Sequence, residues 1–191
     1  MVLEEEQKPD GPFDGRRFET IVMVHLDAAH NLALWLTRDD HQADDVVQEA
    51  CVRALKYLDT FRGGNSRAWF LSIVRNTYYD GLKKNRPEAL NVPLDEDGYQ
   101  ANDALAADWL VDEAGDVSRG LEREDARRVL NQALDRLPTE FREILVLREL
   151  EDLSYQDIAR VAHIPLGTVM SRLSRARKLL FAALRGDLQD S

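Results

Sequence analysis

Residues 166–178 read LGTVMSRLSRARK, with Thr168, Ser171 and Ser174 interleaved among Arg172, Arg175, Arg177 and Lys178. None of these groups, so spaced, makes or breaks a covalent bond. Short hydroxyls beside long guanidinium arms are donors for phosphate oxygens and base edges. From Val161 to Arg185 there are five Lys/Arg and no Asp or Glu, although the chain as a whole carries a net charge of -10. A second such stretch runs from Phe61 to Arg86, with six basic residues and one acid, and with Trp69, Tyr78, Tyr79 and several amides between them. Rings beside cations and a Gly63-Gly64 loop suit single-stranded or opened DNA, whose bases stack while cations follow the backbone. Core packing accounts for Phe70, Ile73 and Val74; for Trp69, Tyr78 and Tyr79 both explanations remain open. A third group, Asp44, Asp45, Gln48 and Glu49, has the opposite sign, and favourable placement against a helix dipole suffices to explain it.

Helices must position all three groups. Ser154 is an N-cap with Asp157 three residues on, and Tyr155, Ile158, Ala159 and Ala162 follow at helical spacing. His163-Ile164-Pro165 breaks that helix, because proline removes a donor and restricts its predecessor. A second helix restarts near Gly167-Thr168, with Val169, Leu173, Ala176 and Leu180 inward and Met170 and the Arg/Ser set outward. Helix, tight turn, and a helix with an apolar inner stripe form a helix-turn-helix whose second helix enters the major groove. The alternative is a plain helical hairpin with a solvated basic face. Nearer the N-terminus, Phe18–Thr37 is predicted as one helix with Ile21, Val24, Leu32, Trp35 and Leu36 inward. Asp39-Asp40 interrupts, and a helix from about Ala43 to Leu58 turns Val46, Val47, Ala50, Ala54 and Leu58 to the core. A further helix opens at about Arg67 and continues to Lys84.

These elements divide the chain into a tail (1–15), an N-terminal helical domain (16–86), a linker (87–120), a C-terminal helix-turn-helix domain (121–185) and a short tail (186–191). The fold class is all-α. Residues 87–118 contain nine acids and no Lys or Arg, with prolines and glycines that mark a linker of uneven order. The acid there reconciles a negative chain with basic patches, since such a chain is repelled by free duplex at long range. No apolar run reaches membrane-spanning length and no signal peptide is legible, so neither membrane insertion nor export is expected and the cytoplasm is the expected compartment. The single cysteine, Cys51, permits no internal disulfide and reads as a small buried residue. His25, His30, His41 and His163 are scattered, so no metal, cofactor or catalytic constellation is legible.

Several motifs in order resemble one family: Asp44-Asp45-Val46-Val47-Gln48-Glu49; Phe61-Arg62-Gly63 with Trp69-Phe70 and Ile73-Val74-Arg75-Asn76; Leu137-Pro138 with Arg142; Leu153 to Ala159; then Gly167-Thr168-Val169, Ser171-Arg172-Leu173 and Arg175-Ala176-Arg177. The chain resembles the extracytoplasmic-function (group IV) sigma factors of bacterial RNA polymerase, over about residues 16–86 and 121–185. The resemblance implies docking of Asp45, Gln48 and Glu49 on core polymerase, through a basic coiled coil of the beta-prime subunit, with the beta subunit also a partner. It implies recognition and melting of the −10 promoter element by Phe61, Asn65, Ser66, Trp69 and Asn76. The −35 element falls to Thr168, Met170, Ser171, Arg172, Ser174, Arg175 and Arg177, of which Arg172 and Arg177 hold phosphates. It implies an anti-sigma factor as a restraining partner, and a path for the acidic linker through channels that carry nucleic acid. Met170 stands where relatives commonly carry a cation, which favours a thymine methyl contact. Ser174 stands where His or an aromatic is common.

The reading is a non-enzymatic factor that directs promoter-specific initiation, in a stress or envelope response. A stand-alone helix-turn-helix regulator is the alternative. The acidic helix followed by a basic-aromatic segment discriminates, since a regulator has no use for it.

Overall fold

The computed structural model describes residues 15–85 and 128–189, all in helices and their connections. The acidic linker and the tail before Gly15 lie outside the described residues. The N-terminal module consists of α1 (Gly15–Ile21), a 3-10 turn (Met23–His25), α2 (Leu26–Thr37), α3 (Asp40–Tyr57) and α4 (Ser66–Asn85). The C-terminal module consists of α5 (128–135), α6 (Thr139–Leu145) continued by a π turn (Val146–Leu150), α7 (Tyr155–Ala162) and α8 (Leu166–Gln189).

One helix from Phe18 to Thr37 does not form. The near-continuous β-branched run Ile21-Val22-Met23-Val24 is poorly suited to a helix interior, and a 3-10 turn replaces it. The turn rotates the apolar stripe, so Val22 is fully buried while Val24, expected inward, is 66% exposed. The break at Asp39-Asp40 does occur. Arg38 adopts the left-handed conformation at φ 60°, and extended Asp39 accepts a 2.9 Å hydrogen bond from the Gln42 amide, capping α3. Small residues (Ala43, Ala50, Ala54) form the buried side of α3 and let α2 and α4 pack closely against it.

In the C-terminal module the helix-turn-helix stands where the pattern put it. Ser154 caps α7, accepting from the Asp157 amide at 3.1 Å. The Asp157 carboxylate does not reach back to the backbone; it accepts from the Ser154 hydroxyl at 2.8 Å. His163, left-handed at φ 55°, ends α7, and α8 begins at Leu166 just past Pro165. Val169, Leu173 and Ala176 are buried, as their spacing required, and α8 continues to Gln189, past Arg185.

The two modules do not keep separate cores. Leu32, Leu36, Phe70, Leu71 and Val74 of the first join Ile144, Leu147, Ile158, Val161, Val169 and Leu173 of the second in one cluster. Modules this small bury little surface alone and are marginal, and each fully buried Leu or Phe adds about 1.5–3 kcal/mol. The junction runs mainly along α4 against α7 and α2 against α6.

Candidate nucleic-acid interface

The carboxylate face of α3 is solvent-facing. Asp44, Asp45, Gln48 and Glu49 are all exposed, while Val46 and Val47 pack partly against the core. Glu49 accepts from Arg53 Nε at 2.9 Å, and Arg53 reaches on to Asp80 of α4 at 2.7 Å. The hydrogen bond from Arg53 holds the Glu49 carboxyl below its ordinary pKa. Asp44 lies 3.2 Å from His30 of α2. The result is a helix face of fixed negative groups braced from behind by one arginine.

The loop before α4 forms a cavity. Gly63 and Gly64 take φ of 97° and 96°, which a side chain would strain, so the chain can turn sharply there. Phe61 and Trp69 meet with ring centroids 5.3 Å apart at 51°. Thr60, Phe61, Arg62, Asn65, Trp69 and Ser72 surround a cavity of about 210 Å³, and Arg160 of α7 closes one side. An apolar wall of two rings, an amide and hydroxyls is what an unstacked base requires. Asn65 Oδ1 caps α4 by accepting from the Ala68 amide at 3.1 Å, and its Nδ2 donates to Asp157 of α7 at 3.0 Å. Ser66 Oγ is 2.9 Å from His25 Nε2. Burial, and then the charge of Arg67, hold His25 below its ordinary pKa. Ser66 and Asn76 lie on α4 and neither lines the cavity, so only Phe61, Asn65 and Trp69 of the five expected −10 residues are brought together there. Thr60, Ser72 and Arg160 belong to the cavity and were not singled out from the sequence.

On α8, Met170 is 48% exposed, and Arg175 is exposed with its guanidinium 5.3 Å from the Phe141 ring. Arg172, Ser171, Ser174 and Thr168 are partly exposed along the same outer side. Ser171 Oγ donates to the Thr168 carbonyl at 3.1 Å. Arg177, expected on phosphate, pairs with Glu149 of the π turn at 2.7 Å, which raises its pKa. A phosphate would have to displace that carboxylate.

The modules meet through polar contacts unforeseen from the sequence. Glu143, 1% exposed, accepts from Arg75 and from Tyr79 Oη at 3.1 Å. Glu151, 2% exposed, accepts from Arg67 and from Asn31 Nδ2 at 2.6 Å. Arg38 donates to the Asp135 and Leu137 carbonyls. The Arg75 guanidinium also lies 4.5 Å over the Tyr79 ring. Burial first, then Glu143, push the Tyr79 hydroxyl well above its ordinary pKa. Arg142 is buried, and desolvation lowers its pKa. The one sequence signal for this junction is an acid, Glu143, set directly before the apolar run Ile144-Leu145-Val146-Leu147.

Among the described residues no helix is long and apolar enough to cross a membrane, and no cluster of His, Cys, Asp and Glu could hold a metal. The family described as Sigma-70 region 2 matches residues 21–88, and Sigma-70, region 4 matches residues 127–180. The RNA polymerase sigma-H factor of Pseudomonas aeruginosa is 32% identical over 181 residues, covering 93% of this chain and 91% of that one. The ECF RNA polymerase sigma factor EcfG of Rhodopseudomonas palustris is 34% identical over 167 residues, covering 87% and 84%. Among solved structures, the sigma factor RpoE of Bartonella quintana, in complex with the anti-sigma factor NepR, superposes with a TM-score of 0.64. That match is 25% identical and covers 89% of this chain and 98% of that one.

Proposed function

The chain belongs to the extracytoplasmic-function RNA polymerase sigma factors of the sigma-70 family, and from that membership we propose how its surfaces divide the work of initiation. As a sigma factor it binds core RNA polymerase and directs transcription from specific promoters. The exposed Asp45, Gln48 and Glu49 meet a basic surface of the polymerase, with charge setting register and encounter rate. The Phe61–Ser66 loop with Trp69 takes up a base of the −10 element once it leaves the stack, and Asn76 contacts the strand further along α4. Thr168, Met170, Ser171, Ser174 and Arg175 read the −35 element, and Arg172 and Arg177 hold its phosphates. The acidic linker joins the two readers. The protein has no catalytic function of its own and acts in the cytoplasm, where polymerase is. An anti-sigma factor restrains it, a reading supported by the RpoE–NepR pair whose sigma chain it resembles.

The observation that carries this assignment is the N-terminal module itself. It places an exposed carboxylate face on α3 and a ring-walled cavity at the start of α4, and a duplex-operator regulator needs neither. Run-off transcription with purified core polymerase, on a library of templates, tests it. The chain should confer initiation at a defined subset of promoters, and unchanged transcription with and without it refutes the reading.

A further inference from the structure

We propose that the cavity between α3 and the C-terminal part of α4 binds a nucleoside di- or triphosphate, with Lys56, Lys83 and Lys84 holding the phosphates and Tyr57 stacking on the base. Such a site needs neither polymerase nor promoter. It shares no residue with the cavity of the Phe61–Ser66 loop.

The cavity has a volume of about 550 Å³, within the range that holds small molecules. Four cations, Arg53, Lys56, Lys83 and Lys84, stand in its walls against two acids, Glu49 and Asp80, which leaves two positive charges in excess. That excess is local, because the chain as a whole carries a net charge of -10. Both acids are already committed. Arg53 donates from Nε to Glu49 at 2.9 Å and from Nη1 to Asp80 at 2.7 Å, tying α3 to α4 at the cavity. The three lysines are exposed, and none bonds to another described residue. Lys56 comes from α3 and Lys84 from α4, yet the charges of both bear on Glu49, so ammonium groups from two helices converge on one place. Like charges brought together by packing repel one another, and a multiply charged anion relieves that repulsion. Lysine is suited to the task, as a compact charge on a flexible stem that follows a phosphate chain. Tyr57 is 54% exposed and lines the same space. A ring standing open beside a basic cluster gives a planar base a face to stack on while its phosphates meet the lysines. The excess positive charge disfavours a bare metal ion. A DNA strand fits less well, because the α3 wall continues into the exposed carboxylates Asp45 and Glu49, which repel a long row of phosphates.

The test uses the full chain in magnesium-free buffer, with ATP, GTP, inorganic tripolyphosphate and adenosine as probes. Isothermal titration calorimetry gives the affinity, and amide shifts of isotope-labelled protein give the place. ATP and GTP should each bind saturably, one per chain, and shift the amides around Lys56, Tyr57, Lys83 and Lys84. Tripolyphosphate should occupy the same place about tenfold more weakly, the scale of one lost base–ring stack. Adenosine alone should not bind measurably. Lys83→Gln with Lys84→Gln should weaken ATP and tripolyphosphate alike, by about tenfold or more. Tyr57→Ala should weaken ATP about tenfold and leave tripolyphosphate unchanged, and Tyr57→Phe should bind ATP as the parent does. All these side chains are exposed, so circular dichroism should find each variant as helical as the parent. Lys178→Gln with Arg185→Gln removes two charges from α8 and should leave the ATP affinity as it was. The proposal is overturned if no probe binds saturably up to about 1 mM, the upper end of ordinary half-saturation values for small-molecule sites. Equal losses in the α8 variant overturn it too, by showing that ATP responds only to total charge. ATP binding untouched by Tyr57→Ala removes the nucleoside from the assignment and refutes it as stated. Displacement of ATP by a lower concentration of short single-stranded DNA, dependent on the same lysines, would give the groove to a nucleic-acid backbone instead.

Discussion

Replacing Asn65 by aspartate separates two roles that this side chain combines. Its Oδ1 accepts from the Ala68 amide at 3.1 Å and caps α4, while its Nδ2 donates to Asp157 at 3.0 Å across the junction. Aspartate caps a helix as well as asparagine does, so Asn65→Asp keeps a contribution of about 1 kcal/mol that Asn65→Ala loses. The donor is lost in both. In an opened promoter an amide to a base edge contributes about 1–3 kcal/mol, which is about 5- to 150-fold in the opening equilibrium. A new carboxylate beside the strand acts in the same direction. Circular dichroism should therefore find α4 intact in Asn65→Asp, while holoenzyme carrying it forms a closed complex normally and opens it poorly. Permanganate reactivity of −10 thymines is the measurement. A template mismatched across the −10 element should restore most of the lost transcription, since strand separation is then supplied in advance. Reactivity equal to the parent on fully paired duplex would refute the reasoning, and Asn65 would then be a cap alone.

Further perturbations follow from the same geometry. Asp45→Arg should weaken binding to core polymerase by an order of magnitude or more, with helical content unchanged, because it sets a cation on an exposed face meant for a basic partner; interferometry against immobilised core measures it. Arg175→Ala should relax preference at one −35 base pair at a cost of about 1–3 kcal/mol, whereas Arg172→Ala should weaken all promoters evenly and lower the salt slope by about one unit. Identical selectivity profiles would end that division. For His25, burial and then Arg67 place the folded pKa below the ordinary 6.5, so its contribution to stability is present above 6.5 and is lost as pH falls from there through the lower folded pKa. The melting temperature should fall on moving from pH about 8 to about 5.5, and less so in His25→Asn, where no ring can take up a proton.

Much of this fold was legible because its helices obey local rules. Ser154 and Asp39 cap as their types suggest, Pro165 marks the turn, and Val169, Leu173 and Ala176 are buried at helical spacing. The continuous helix expected across Val22–Val24 failed because periodicity fixes which residues face inward only while the helix is unbroken. A 3-10 turn changes the phase, and a run of β-branched residues is a weaker signal than an apolar stripe. The exposure of Asp45, Gln48, Glu49 and Met170 was legible as the outward sides of amphipathic helices. Arg67, Arg75 and Tyr79 were visible only as members of a basic-aromatic stretch, because their partners Glu143 and Glu151 lie 68 and 84 residues away along the chain. Pairing over that distance leaves no periodic trace. The best local sign was an acid beside an apolar run, where burial demands a partner that the neighbouring residues do not supply.

The placement of charge also implies an order of events. The chain is acidic overall, yet the two stretches proposed to face DNA are basic, and in the closed form, with the modules packed together, Arg67 and Arg75 of α4 hold carboxylates while the acidic face of α3 remains exposed. On the proposed roles, free duplex meets a repulsive field and a partly covered α4, whereas a basic polymerase surface would meet exposed Asp45, Gln48 and Glu49. Polymerase binds before DNA in this scheme, and its binding must favour the separated modules. Shifting a closed-to-open ratio from about 99:1 to 1:99 takes a differential affinity of about 5.5 kcal/mol. Docking of α3 alone cannot supply this, because that face is equally accessible in both forms and a surface bound equally in both shifts nothing. The difference must come from polymerase contacts that exist only when the modules are apart. In the full chain the Arg75→Gln change, which removes the cation paired with Glu143 across the junction, should then strengthen binding to core. In a full chain whose junction is already weakened by Glu143→Gln with Glu151→Gln, the same change should add little. Equal responses in the two backgrounds would mean that core engages the closed form directly and that opening occurs later, on DNA.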